Sequence, residues 1–179
     1  APPATALFFH ALPRNPPAAP GSLVVSASST SLARKLALAY ALLIAYACLH
    51  PLTGWRASGL PVFDYLFAPW PKYFILADLV FNVAGYLPFG FVLVAALPSR
   101  WGAARRAGIA ILCGGLLSFG LETAQNFLPA RVASNIDIGG NLLGAALGAL
   151  LGVRWGARVF ASHGLLLRWR ARAVIRGHS

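Results

Sequence analysis

Four apolar runs divide the chain. Leu36 to Leu49 is unbroken and extends through Leu52; Tyr73 to Leu97 and Ala107 to Leu128 follow; Ile138 to Val153 carries no charge between Asp137 and Arg154. A helix needs about 20 residues to cross a bilayer, within a range of about 17–25, so the two middle runs fit comfortably. The outer two are short spans that tilt less or thin the bilayer locally. The expectation is an all-α fold, an integral membrane bundle of four transmembrane helices. Residues 1–31 gather prolines up to Pro20 and then Ser26, Ser28, Ser29 and Ser31, which predicts a disordered Pro/Ser-rich arm. Residues 32–154 make the bundle. Residues 155–179 mix Leu165, Leu166, Leu167 and Trp169 with arginines, too short to span, and predict a basic amphipathic helix on the membrane surface. The aromatic, proline-rich loop from Pro51 to Lys72 is expected to lie along the headgroups.

Composition agrees with the spans. Among 179 residues 58% are hydrophobic and 11% charged, with a mean hydropathy of +0.68. A globule of this size cannot hide so much apolar surface from water, which excludes a soluble domain. The net charge of +11 would suggest nucleic acid in a soluble protein, but its distribution argues otherwise. With the N-terminus inside and four crossings, only Arg56, Lys72 and Arg131 of the 15 basic residues fall outside. Both termini are therefore expected to be cytoplasmic, and no nucleic-acid partner is expected. Trp55 and Trp70 flank the outer ends, while Trp101, Trp155 and Trp169 flank the inner ones. Cys48 and Cys113 sit inside apolar runs, so no disulfide framework is expected.

Carboxylates in hydrocarbon are costly and mark candidate sites. Asp78, Glu122 and Asp137 all lie at similar depth toward the outer ends of their spans. Asp78 and Asn82 are one helical turn apart, as are Asp137 and Asn141, and Ser118, Glu122 and Gln125 share a face of the third span. Arg131, in the turn between the last two spans, is the expected counter-ion for Glu122 or Asp137, or the grip on an anionic ligand group. The second and fourth spans share the pattern Asp-x3-Asn-x2-Gly (Asp78, Asn82, Gly85 and Asp137, Asn141, Gly144), which suggests a parallel repeat. Gly140, Gly144, Gly148 and Gly152 form a small-residue stripe, a candidate surface for close helix packing or a homo-oligomer. Pro88, between Gly85 and Gly90, predicts a kink in the second span.

The order and spacing of these residues resemble the VanZ-like family of bacterial membrane proteins over roughly Leu76 to Val153. The shared elements are Asp78-x3-Asn82, Leu87-Pro88-Phe89-Gly90, Ser118-x3-Glu122-x2-Gln125, and Arg131-x5-Asp137-x3-Asn141-x2-Gly144-x3-Gly148. Asn135 departs from the family pattern, where an additional acid is often seen ahead of Asp137. The resemblance implies a multi-pass protein of the bacterial plasma (inner) membrane. It also implies a link to low-level resistance against teicoplanin, a lipidated glycopeptide acting at the outer face of that membrane.

Taken together, the expected function is binding: an outward-facing polar pocket of Asp78, Asn82, Ser118, Glu122, Gln125, Arg131, Asp137 and Asn141. Its ligand would be a lipid-linked cell-wall precursor or an amphiphilic antibiotic of the cell envelope, with membrane lipids as further partners. The alternatives are an intramembrane carboxylate- or metal-dependent enzyme acting on a lipid-linked substrate, or a small proton-coupled transporter. An enzyme is the weaker reading, because Ser118 has no histidine base in its segment and no His, Cys or Lys joins the cluster. No cofactor is expected, and no catalytic or metal-ligating residue is assigned.

Overall fold

A computed structural model describes residues 20–57, 59, 61–69 and 76–160, with side chains from Thr30 onward. Four helices follow one another: α1 (Pro20–Leu49), α2 (Leu76–Ala96), α3 (Ala103–Gln125) and α4 (Asn135–Phe160). A single 3-10 turn, Asp64–Phe67, interrupts the long α1–α2 loop. All four helices contain a stretch long and apolar enough to cross a membrane, the first of them over Thr30–Leu49. Large apolar side chains such as Leu38, Leu42, Val80, Phe81, Leu112, Leu116 and Leu150 point outward from every helix. That is the surface expected of a chain whose solvent is lipid.

Helix α1 starts earlier than expected. Pro20 opens it, at a position where a missing N–H is harmless, so the serine stretch assigned to a disordered arm is helical. Beyond Pro20 no proline stops a helix from growing backward out of the apolar run, and propagation is far cheaper than nucleation. Residues 1–19 and the basic tail from residue 161 lie outside the described residues.

The contacts give the topology. Arg34 Nε, in the middle of α1, donates to the carbonyl of Ala96 at the end of α2 at 3.2 Å, so the apolar part of α1 starts beside the end of α2. Asn141 Nδ2 reaches Ser118 Oγ at 3.0 Å and Gly114 faces Ala145, so α3 and α4 are antiparallel. Helices α2 and α4 run parallel and in register. Gly140 faces Leu79 and Asn82, Gly144 faces Val83, Gly148 faces Leu87 and Phe91, and Gly152 faces Phe91 and Val94. An i,i+4 ridge of α2 thus lies in the trough left by glycines on α4. The stripe is filled within the chain, which removes it as the surface on which a second copy would dock.

Helix α2 continues through Pro88 and does not end there. One further expectation changes. The matched Asp-x3-Asn-x2-Gly patterns have unlike surroundings, since nothing approaches the Cβ position of Gly85 whereas Gly144 meets α2 backbone. The repeat is a pattern in sequence without a counterpart in packing. Helix α4 is the most buried of the four and α1 the least, so α1 leans on a three-helix core.

Candidate functional site

Polar residues gather where α2 and α4 begin and α3 ends. On α3, Ser118 and Glu122 occupy successive turns and are buried, Ser118 fully and Glu122 to 3% exposure. Both face α4, because Ala110, Gly114 and Ser118 form the strip that meets Ala145 and Asn141. Asn141 is also 3% exposed, and Asp137 stands one turn nearer the helix end. Asn82 packs against the Cβ position of Gly140 and lies beside the Asp137 carboxylate. Asp137 is within electrostatic reach of Glu122 on one side and of Asp78, exposed at the rim, on the other. Asp78, Asn82, Ser118, Glu122, Asp137 and Asn141 therefore form one neighbourhood, running from the bundle end into its interior.

Glu122 has a structural task there. Its carboxylate accepts the Ser134 backbone N–H at 2.9 Å, while the Ser134 hydroxyl accepts the Asp137 N–H at 3.4 Å. Ser134 is the N-cap of α4. In a capping box the carboxylate at the third helical position reaches back to that N–H. Here Glu122 supplies the bond from a neighbouring helix, at the positive end of the α4 dipole, and Asp137 is left to face Asn82.

Two expected members spend their hydrogen bonds on α1, beside the cluster. Gln125 Nε2 donates to the Cys48 carbonyl at 3.1 Å. Arg131 donates through Nε to the His50 carbonyl at 3.0 Å and through its terminal nitrogen to that of Ala47 at 2.9 Å. Both residues satisfy the last carbonyls of α1, which have no donors within their own helix. Arg131 is neither the counter-ion of Glu122 nor of Asp137. A sequence places an arginine near an acid but does not show that two unsatisfied carbonyls lie within its reach. In an Arg131→Ala chain, amide hydrogen exchange around Tyr46 to Leu52 should rise about tenfold, the effect of losing hydrogen bonds worth about 1.5 kcal/mol or more. Exchange unchanged in that segment would contradict the capping role.

Other residues were not foreseen. Tyr86, one turn beyond Asn82 on the same face of α2, is 3% exposed, and its hydroxyl lies near Ser118 without making a hydrogen bond. Asn141 Oδ1 is likewise buried without a partner. The spacing Asp78-x3-Asn82-x3-Tyr86 was the available signal. The α1–α2 loop does more than lie along the headgroups. Thr123 commits its proton to the Phe119 carbonyl at 2.8 Å, so Tyr65 is the donor in the 2.9 Å contact between the two hydroxyls. Asn126 holds the Val62 carbonyl, and Asn135 holds those of Leu66 and Ala68. An acid at position 135 could not donate these bonds. The loop is thereby latched across the ends of α3 and α4. Tyr65→Phe should raise limited proteolysis of residues 52–57 about threefold to tenfold, as loss of one hydrogen bond of about 1 kcal/mol predicts.

No group of three or more His, Cys, Asp or Glu side chains among the described residues is placed to hold a metal ion. Ser118 pairs with Asn141, and the His50 ring sits edge-on to Tyr46 at 5.6 Å, so Ser118 and His50 do not pair with each other. A groove of about 570 Å³ lies at the other end of the bundle, between α1, α2 and α3.

The family model for VanZ/LLP1 matches residues 24–156, from the first helix to within a turn or so of the end of the fourth. The chain belongs to the VanZ/LLP1 family. The match takes in all four helices and the whole polar cluster, and it begins before residue 32, in keeping with the early start of α1. No curated protein and no solved structure matches this chain. It is a multi-pass membrane protein of that family.

Proposed function

We propose that this VanZ/LLP1-family protein sits in the bacterial plasma membrane and binds the polar head of an amphiphilic or lipid-linked envelope ligand at the Glu122 cluster. The cluster opens toward the outer face, and both termini are cytoplasmic. One observation carries the reading: a nearly buried carboxylate beside two buried polar atoms, Tyr86 Oη and Asn141 Oδ1, that make no hydrogen bond. Buried polar atoms are seldom left so, and their capacity suits the hydroxyl and amine groups of a sugar or peptide head. With Arg131 committed to α1, the cluster is acidic, which favours amines and hydroxyls over phosphate or carboxylate.

Teicoplanin-type glycopeptides fit this class, since they combine such a head with an acyl chain. Expression in a susceptible bacterium should raise the inhibitory concentration of teicoplanin about fourfold or more, the effect of about 1 kcal/mol of competing association. A glycopeptide lacking the acyl chain should be unaffected. Equal protection against both, or against neither, contradicts the proposal.

A further inference from the structure

The groove at the opposite end carries none of this polar chemistry. Ala37, Leu38 and Ala41 of α1, Phe89 and Leu93 of α2 and Cys113 of α3 line it, and it is almost wholly apolar. Its volume of about 570 Å³ falls within the size range of small-molecule sites. At its mouth stand Arg34, Pro98 and Trp101, beside the turn joining α2 to α3. The mouth is at the helix ends and the apolar part lies deeper along the spans.

The mouth is built for an anion. Arg34 is fixed through Nε by the Ala96 carbonyl, and its terminal nitrogens have no hydrogen-bond partner among the described residues. Arg106 does not itself line the groove; it stands two turns before Cys113 on the same face of α3, and its buried Nε has no hydrogen-bond partner among the described residues. Arg105 lies over the Trp101 ring at 4.4 Å, adding a third positive charge beside the mouth. An apolar slot below unpaired guanidinium groups matches a molecule with a chain beneath a phosphate, and Arg is the side chain suited to phosphate.

We infer that this groove is a specific site for an anionic phospholipid, one acyl chain lying along Ala37, Ala41, Phe89 and Leu93, the phosphate held by Arg34 and further attracted by the charge of Arg106 nearby. The site is separate from the Glu122 cluster, at the other end of the bundle, and does not depend on what that cluster binds. It differs from general attraction of a basic surface to anionic lipid, because groove and guanidinium are both required.

The test is native mass spectrometry of the full chain released from mixed phosphatidylglycerol and phosphatidylcholine of identical acyl chains. The full chain should retain one phosphatidylglycerol in strong preference to phosphatidylcholine. Arg34→Gln should weaken that retention about fivefold, the equivalent of about 1 kcal/mol per basic residue, and adding Arg106→Gln should weaken it about 25-fold. Ala41→Phe fills the slot without altering charge and should abolish retention while helicity by circular dichroism stays at the parent level. Equal retention of the two lipids, or undiminished retention in Ala41→Phe, overturns the proposal. So does a disulfide forming in membranes between Cys113 and a cysteine placed at Leu166, which would make the chain's own tail the occupant.

Discussion

Glu122→Gln is expected to fold, insert and pack like the parent and yet lose all protection against teicoplanin. Glutamine keeps an oxygen where Glu122 Oε2 accepts the Ser134 N–H, so the cap of α4 survives. The ionisable carboxyl is what disappears. Removing an unpaired buried charge does not destabilise a bundle and often favours it. Glu122→Ala separates the two roles, because it also leaves the Ser134 N–H without its acceptor and should cost about 1–3 kcal/mol of stability. Unfolding in detergent together with the teicoplanin phenotype reads both variants. Protection retained in Glu122→Gln would reduce Glu122 to a capping residue and remove the basis of the proposed function.

Gly148→Leu is expected to prevent the native bundle from forming. A Cβ at Gly148 meets the Leu87 carbonyl and the Phe91 backbone, neither of which can rotate away as a side chain would. Inserting extra methylenes into a packed core costs about 1–3 kcal/mol even where neighbours adjust. Here the register of α2 on α4 must move, and with it the alignment of Asn82 with Asp137. Gly148→Ala should be the milder case, destabilised by about 1–3 kcal/mol. Gly139→Ala is the control, since nothing lies within 4 Å of its Cβ position, and it should be neutral or stabilised by up to about 1 kcal/mol. Thermal or denaturant unfolding in detergent distinguishes the three. A Gly148→Leu chain with parental stability would contradict the close α2–α4 contact.

Much of this was legible in the sequence, for physical reasons that can be named. Apolar run length is a direct consequence of bilayer thickness, so the existence of four helices and the extent of α2 and α3 were readable within a few residues, whereas α1 begins well before its apolar run and α4 continues past its own. Helical spacing placed Ser118, Glu122, Asp137 and Asn141 on facing sides, because i,i+4 residues share a face whatever the neighbour. The bonds of Arg131 and Gln125 to α1 were not legible, because backbone acceptors leave no trace in a sequence. Only coordinates show that α1 ends at Cys48 to His50 beside them. Tyr86 was passed over because a tyrosine in an apolar run reads as core, and it becomes informative only once Ser118 is its neighbour. The glycine stripe was seen, but a stripe does not say whether its partner lies in the same chain.

The claim on which the rest depends is that the Glu122 cluster is reached from outside the cell. Replace Cys48 and Cys113 by serine, introduce single cysteines at Asp78 and Val132 near the cluster and at Arg105 and Arg154 at the other end, and treat intact cells with a membrane-impermeant maleimide. The account predicts that Asp78→Cys and Val132→Cys are labelled at once, and Arg105→Cys and Arg154→Cys only after the membrane is opened. Labelling in the reverse pattern would turn the cluster toward the cytoplasm and contradict it.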